Sequence, residues 1–169
     1  MTRYVALLRA VNVGGTGKLP MAELRTMCES LGFTEVRTYI ASGNVVFDSK
    51  LAEAAVKTRL ERCLEQYAGK PVGVAVRTGA ELAQVLAANP FKSAAANRTV
   101  AIFLDAPPPA DALAHASGQR TEEMALGARE IYVLYNDGMA DTKLKIPAAK
   151  TGTARNMNTL AKLVEMANG

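Results

Sequence analysis

The chain has 169 residues, 49% of them hydrophobic and 21% charged, with a formal net charge of +4. This is enough apolar material for a packed core, and the charge is milder than a dedicated nucleic-acid binder usually carries. No apolar run approaches the roughly 20 residues of a membrane span and nothing resembles a signal peptide, so we expect a soluble, cytoplasmic protein with no membrane association.

The pattern of residues 1–78 predicts that they form one compact α+β half of the protein. Runs of strand-forming residues predict four strands: Tyr4–Val11, Val36–Ile40, Val45–Phe47 and 72–77. Helical spacing predicts one helix between Pro20 and Gly32 and a second that Ser49 caps. The resulting β-α-β-β-α-β order is that of the split βαβ, or ferredoxin-like, unit.

Residues 79–98 are predicted as a helix and connector, because Thr78-Gly79-Ala80-Glu81 is a capping box and Asn89-Pro90 ends the helix. Residues 99–169 predict a second, smaller α+β half. Its expected elements are a strand at Thr99–Leu104, a short helix at Asp111–Ala116, a hairpin of Arg120–Leu126 and Glu130–Tyr135, a short strand at Lys143–Ile146 and a last helix. We interpret the α+β chain as a partial duplication.

Two stretches of the chain, 1–22 and 142–164, contain basic residues and no Asp or Glu. They hold eight of the 20 Lys and Arg residues, so the rest of the chain is net acidic. Each runs into the predicted N-terminus of a helix, where exposed N–H groups and positive charge favour anions. We therefore expect these segments to form an anion-binding site.

Arg9 is the most unusual residue of the first basic segment, since strand alternation places it on the same face as Val5 and Leu7. A charge there needs either a carboxylate or carbonyl partner or a bound anion, and both alternatives are open. The loop that follows ends in Gly-Thr-Gly-Lys18 but is no P-loop, because Asn12 and Leu19 stand where a glycine and a hydroxyl residue are required. A backbone anion nest and a plain turn both fit it.

Two further polar clusters are candidates. Ser42-Gly43-Asn44 is either a tight turn or part of a ligand site. In the second basic segment, helix capping explains one or two polar residues but not the combination of Arg155, Asn156, Asn158 and Thr159 with the upstream Lys143. We favour an anion-binding surface there.

Catalytic and metal chemistry find little support in the sequence. Cys28 and Cys63 lie in predicted helices without a CxxC pattern, which indicates reduced thiols and no metal site. His115 has no plausible catalytic partners. Glu122 and Glu123 are expected to be a solvated charge pair and not a catalytic dyad, since adjacent strand residues point to opposite faces and cannot meet across a cleft. We predict no metal and no cofactor.

Long motifs across most of the chain resemble a known family. They are YVALLRAVNVGG at 4–15, TYIASGNVVF at 38–47, NPF at 89–91, TKL at 142–144 and RNMNT at 155–159. These are similar to motifs of the bacterial family catalogued as domain of unknown function 1697. The resemblance implies an α+β fold of two halves and no established activity.

The family's polar motif positions fall on twelve residues of this chain: Arg9, Asn12, Gly14, Lys18, Ser42, Gly43, Asn44, Lys143, Arg155, Asn156, Asn158 and Thr159. There are three departures. Thr142 stands where members often have Ser, Met157 stands where they have Trp, and 145–153 is shorter than the helix-containing stretch of many members. If that helix helps to form a site, the site is altered here.

These observations lead to one functional expectation. The protein binds an anionic, phosphate- or nucleotide-like small molecule in a basic groove between its halves, with Arg9, Lys143 and Arg155 supplying charge. The alternatives are nucleic-acid binding through the same surface, an enzyme acting on a phosphorylated substrate, and a structural protein whose polar motifs are caps and turns. Nucleic acid is the less favoured partner, because the central strand offers only Tyr4 for base stacking.

Overall fold

The computed structural model describes residues 1–12 and 18–168, so most of the glycine-rich loop lies outside the described residues. The chain forms two compact units: unit 1 is 1–83 with 163–169, and unit 2 is 84–162. The predicted division at residues 78 and 98 stays a prediction. No helix among the described residues combines the length and apolar character needed to cross a membrane.

Unit 1 is built on a four-stranded antiparallel sheet with the strand order β2-β3-β1-β4. Its elements are β1 (Thr2–Leu8), α1 (Met21–Ser30), β2 (Thr34–Tyr39), β3 (Asn44–Ser49), α2 (Glu53–Ala68), β4 (Val74–Thr78) and the start of α3 (Gly79–Ala87). This is the β-α-β-β-α-β element order that the sequence predicts.

The central strand β1 is buried on both faces, as its two-sided apolar run predicts. Tyr4, Ala6 and Leu8 belong to a core with residues of α1 and α2, and Val5 and Leu7 on the opposite face are also buried. Phe33 and Phe47 stack within that core, with ring centroids 4.3 Å apart. Each large apolar side chain buried here stabilises the fold by about 1.5–3 kcal/mol.

The helix ends test the capping predictions. The capping box of α3 is confirmed: the Glu81 N–H donates to Thr78 Oγ1 (3.1 Å), and the Thr78 N–H donates to Glu81 Oε1 (2.9 Å). The predicted Ser49 cap is wrong. Ser49 ends β3 and accepts a hydrogen bond from the Leu51 N–H, and α2 begins at Glu53 without a side-chain cap.

Unit 2 repeats the strand order of unit 1, because its antiparallel sheet runs β6-β7-β5-β8. Its elements are β5 (Thr99–Phe103), β6 (Glu123–Leu126), β7 (Glu130–Leu134), β8 (Thr153–Asn156) and the start of α4 (Met157–Asn168). The fold is thus α+β with two four-stranded sheets and four α-helices in the described part of the chain. The predicted duplication is visible in the order of the strands.

The connections of unit 2 differ from the predictions. The segment expected to form a short helix is a 3₁₀ turn at Ala112–His115, and a second 3₁₀ turn lies at Pro147–Ala149. The predicted strand at Lys143–Ile146 is wrong, since its pairing there is an isolated bridge between Ser117 and Lys145. The strand β8 was not predicted, because its sequence Thr-Ala-Arg-Asn has no apolar alternation.

A bidentate ion pair joins β1 to β3 and gives the stability of unit 1 a pH dependence. Arg3 donates from Nε (2.5 Å) and Nη2 (3.1 Å) to the Asp48 carboxylate, its direct neighbour across the ladder. The Arg3 hydrogen bond holds the pKa of Asp48 below its ordinary value. Because the folded pKa is the lower one, the stabilisation is complete above the unfolded pKa of about 4 and is lost as the pH falls through the folded pKa.

We therefore predict that Asp48→Asn lowers the free energy of unfolding at pH 7 by about 0.5–1 kcal/mol. It should also reduce the loss of stability below pH ~4. Urea unfolding of both proteins from acidic to neutral pH measures this, with the exposed Asp141→Asn as a matched charge control. Identical pH dependences for wild type and Asp48→Asn would contradict the assignment.

Candidate functional site

The candidate site of unit 1 begins where β1 ends. The Leu8 N–H donates to the Gly43 carbonyl (2.8 Å), and the next residue, Arg9, donates its N–H to the Gly73 carbonyl (2.9 Å). Ala10 and Asn12 then take left-handed backbone conformations, with φ of 54° and 55°. Three chain segments, 9–12, 40–43 and 70–73, are therefore brought together at this end of the sheet.

Arg9 lies just beyond the strand, so the expectation that it shares a buried face with Val5 and Leu7 is wrong. Its side chain is exposed and runs along Gly73, where an added Cβ would lie 3.8 Å from both Cβ and Cδ of Arg9. The alternation fails because the left-handed Ala10 turns the chain away from the ladder.

Asn12 closes the base of the glycine-rich loop. Its Oδ1 accepts a hydrogen bond from the Leu19 N–H (2.6 Å), and its Nδ2 donates to the carbonyls of Leu19 (2.8 Å) and Ala41 (2.9 Å). The side chain thereby ties the two ends of the loop to each other and to the turn 40–43. Gly14, predicted to contact a ligand, lies outside the described residues.

The Ser42-Gly43-Asn44 segment is a turn bonded within itself. Asn44 is fully buried, and its Nδ2 donates to the Tyr39 carbonyl and to Ser42 Oγ, both at 2.9 Å. Gly43 has φ +90°, and an added Cβ would approach Val11 Cγ2 to 2.7 Å. These contacts fit the turn alternative, and a ligand-binding role for the three residues stays a prediction.

Beside this turn lies a cavity of about 270 Å³, which we call the lysine pocket. Its lining residues come from the loop after β1, the end of α2 and the segment before β4: Ala10, Val11, Lys18, Leu19, Leu64, Tyr67, Ala68, Lys70 and Val72. Lys18 and Lys70 are exposed cations, and no carboxylate stands among the described residues that line this pocket.

Of these residues, Lys18 was predicted to belong to a site, while Lys70 and Tyr67 were missed. A signal for them existed in the topology. In the β-α-β-β-α-β order β4 runs antiparallel to β1, so residues just before β4 must lie beside residues just after β1. Lys70 precedes β4 and therefore lies near the loop that carries Lys18.

Four of the five predicted residues of unit 2 occupy β8 and the start of α4. Arg155 stands opposite Ala101 in the ladder, is only 9% exposed, and donates from Nη1 to the Ala154 carbonyl (2.9 Å). Burial lowers the pKa of Arg155 to about 10, so it remains a cation at neutral pH. Asn156 Oδ1 accepts the Thr159 N–H (2.9 Å) and so forms the N-cap of α4.

The other two predicted residues, Lys143 and Asn158, are exposed. Lys143 belongs to the segment before the 3₁₀ turn at 147–149, and Asn158 lies in the first turn of α4. Unit 2 therefore presents Lys143 and Asn158 to solvent, whereas Arg155 and Asn156 make contacts within their own strand and helix.

The titratable side chains Glu122 and His115, outside these clusters, bond to neighbouring residues of the protein. Glu122 is not solvated as expected: it is buried and accepts hydrogen bonds from Thr142 Oγ1 (2.6 Å) and the Arg120 N–H (2.7 Å), which lower its pKa. His115 pairs with Asp111 at the surface (3.1 Å). No group of three or more His, Cys, Asp or Glu side chains suited to a metal ion occurs among residues 1–12 and 18–168.

The two cysteines differ in their surroundings. Cys28 is fully buried in α1, and burial raises the pKa of its thiol to about 12, which leaves it protonated and unreactive at neutral pH. Cys63, in α2, is half-buried. Both are free thiols, and neither lines the lysine pocket.

Comparison with known proteins places the fold and leaves the activity open. The family described as "Protein of unknown function (DUF1697)" matches residues 1–132. Among solved structures, the chain is similar to the conserved bacterial protein SP0830 from Streptococcus pneumoniae, with 27% identity, a TM-score of 0.80 and coverage of 99% of both chains. No curated protein matches the chain.

The Asn12 bonds predict a specific stability loss. Asn12→Gly removes all three hydrogen bonds without straining the left-handed backbone, and should lower the free energy of unfolding by about 1–3 kcal/mol. Asn12→Ala should lower the free energy of unfolding by about 1 kcal/mol more, since alanine is also strained at a positive φ. Chemical unfolding measures both, and a loss below about 0.5 kcal/mol for Asn12→Gly, typical of a plain surface change, would contradict the role.

The turn predicts a contrast between two glycines with nearly equal φ. Gly43 (φ +90°) has Val11 and Leu8 within 3 Å of an added Cβ, whereas Gly32 (φ +87°) has nothing within 4 Å. Gly43→Ala should therefore lower the free energy of unfolding by about 2–4 kcal/mol and Gly32→Ala by about 1–2 kcal/mol. Equal losses in thermal or urea unfolding would show that the close approach is not limiting.

Proposed function

The chain belongs to the DUF1697 family of proteins of unknown function, and we propose that it binds an anionic, phosphate- or nucleotide-like small molecule at the lysine pocket. The observation that carries this proposal is the convergence of Lys18 and Lys70 on one cavity whose described lining holds no carboxylate. Lys18 belongs to the acid-free N-terminal segment, so the charge asymmetry of the sequence and the pocket point to the same ligand charge.

The walls of the pocket strengthen the attraction. Val11, Leu19 and Leu64 are buried apolar residues that line the same pocket as the two lysines. Electrostatic attraction is larger beside such low-dielectric surface than in bulk water, and hydrogen bonds between a phosphate and a charged donor are roughly twice as strong as neutral ones. A phosphate between Lys18 and Lys70 therefore gains from both effects.

Tyr67 suggests how the rest of the ligand is held. Tyr67 is 47% exposed as a residue and lines the same pocket as the two lysines. A nucleobase can stack on such a ring, and each base–aromatic stack contributes about 1–3 kcal/mol. The volume of about 270 Å³ is small for a ligand site, which favours a mononucleotide or sugar phosphate over a dinucleotide.

Nucleic-acid binding is a weaker candidate. The aromatic residue that the central strand offers, Tyr4, is 4% exposed, and its hydroxyl donates to the Leu51 carbonyl (2.7 Å), so it presents no stacking face. An enzyme acting on a phosphorylated substrate would need the same pocket as its binding site. The convergence of both basic segments in one groove, with Lys143, Arg155, Asn156, Asn158 and Thr159 contributing, stays a prediction.

We predict that adenosine monophosphate binds more tightly than adenosine, and that Lys18→Met and Lys70→Met each weaken its binding by about five- to tenfold, or about 1–1.4 kcal/mol. Isothermal titration calorimetry measures the affinities. Lys92→Met is the matched control, because Lys92 is an exposed lysine outside the pocket. Equal affinities for adenosine and its monophosphate, or no binding of either at millimolar concentrations, would overturn the proposal.

Two further arms of the experiment address the alternatives. Affinity for a single-stranded oligonucleotide that falls steeply with salt, at a slope of several phosphate contacts, would favour nucleic acid over a small ligand. Lys143→Met and Asn158→Ala test the predicted groove. Weaker nucleotide binding in these variants would support it, and unchanged binding would confine the site to unit 1.

A further inference from the structure

Unit 2 contains a second and larger cavity whose origin is visible in the duplication. In unit 1 the connections β1–β2 and β3–β4 form the helices α1 and α2, which cover one face of the sheet. In unit 2 the equivalent connections contain only the 3₁₀ turns Ala112–His115 and Pro147–Ala149. Short turns cover less of a sheet than helices of 10 and 16 residues, and a cavity is left.

This cavity, which we call the unit 2 pocket, has a volume of about 600 Å³. Its apolar walls are Ile102 of β5 and the loop residues Leu144, Ile146, Pro147 and Ala149. Its polar lining is Tyr135, Lys145 and Lys150. The volume lies within the roughly 300–1,000 Å³ of small-molecule sites, which are also lined mainly by apolar groups with a few polar ones.

The loop that forms the pocket wall is held in place. Ser117 and Lys145 exchange two backbone hydrogen bonds (2.9 and 2.8 Å), and Thr142 Oγ1 donates to the buried Glu122 (2.6 Å). At the far end, the Gly152 N–H donates to the Ala149 carbonyl (2.9 Å). A wall tied to the rest of unit 2 at two points and closed by a turn at its end loses little freedom when a ligand binds.

The charged residues that line the pocket are both positive. Lys145 and Lys150 come from the acid-free segment 142–164, and the described lining of this pocket contains no Asp or Glu. Burial raises the pKa of the Tyr135 phenol, and the nearby Glu122 raises it further. The phenol therefore stays protonated at neutral pH and can donate a hydrogen bond.

We propose that the unit 2 pocket binds an amphipathic organic anion, a single carboxylate or phosphate group on an apolar chain or ring. The apolar body contacts Ile102 and Ile146, and the anionic group lies between Lys145 and Lys150. A bare inorganic anion would leave the apolar wall exposed to water, and a neutral apolar molecule would make no ion pair with the two lysines. This site is separate from the lysine pocket and does not rest on the function proposed for it.

The test uses 8-anilinonaphthalene-1-sulfonate, an apolar anion that fluoresces in apolar surroundings, as the reporter on the full chain. Octanoate and 1-octanol, which differ in charge and share an alkyl chain, compete with it. We expect octanoate to displace the dye at about tenfold lower concentration than 1-octanol, a difference of about 1.4 kcal/mol. The double variant Lys145→Met/Lys150→Met should abolish this preference, whereas Lys92→Met should keep it.

Ala149→Phe tests the location, because Ala149 lines the cavity from a 3₁₀ turn that contains no fully buried residue, and a phenylalanine ring there would occupy the cavity. Circular dichroism checks its fold. We expect it to lose dye and octanoate binding, whereas Lys70→Met, which alters the lysine pocket, should keep the preference for octanoate, and this separates the two sites. Dye binding that survives in folded Ala149→Phe, or equal displacement by octanoate and 1-octanol, would overturn the proposal.

Discussion

The end of β1 at Leu8 is the constraint on which the candidate site of unit 1 depends. Up to that point β1 pairs with β3 on one side and β4 on the other. The last bonds are those of Leu8 to Gly43 and of Arg9 to Gly73, and the left-handed Ala10 then ends the ladder. Because both neighbouring strands are fixed to β1, the turn 40–43 and the segment 70–73 are held against residues 9–12, which follow β1.

This constraint explains why glycine is required at one position and asparagine at another. Gly43 lets the turn approach Leu8 and Val11 more closely than any side chain would allow. Asn12 tolerates a left-handed backbone better than most residues and carries both the donors and the acceptor that the loop ends require. Gly43 and Asn12 thereby position Val11 and Leu19, which line the lysine pocket.

The duplication shows how one strand order supports two different surfaces. The connections of unit 2 are rich in residues that interrupt helices: three successive prolines at 107–109, Asn136-Asp137-Gly138, Pro147 and Gly152. The corresponding connection in unit 1 carries the 16 uninterrupted helical residues of α2. Sheets of the same strand order are therefore covered by packed helices in unit 1 and by turns around a cavity in unit 2.

Sequence reasoning succeeded where the signal is local and failed where the partner is distant. The capping box Thr78–Glu81 and the apolar strands are set by neighbours a few residues apart, so they could be predicted. β8 could not, because Arg155 is a buried charge in a strand without apolar alternation. The partners of Asn12 are backbone atoms 7 and 29 positions away, and an amide side chain gives no sign of whether it meets backbone or ligand.

The position of the lysine pocket at the end of α2 raises a competing explanation for its charges. A helix C-terminus carries roughly half a negative charge, and lysines near it stabilise the helix without any ligand. Part of that negative charge is already compensated, since the Gly69 N–H donates a hydrogen bond to the Glu65 carbonyl in the last turn of the helix (2.8 Å). Two ammonium groups exceed the remaining half charge, so the pocket keeps a positive excess. An anion bound between Lys18 and Lys70 therefore gains more from the two cations than it loses to the helix end.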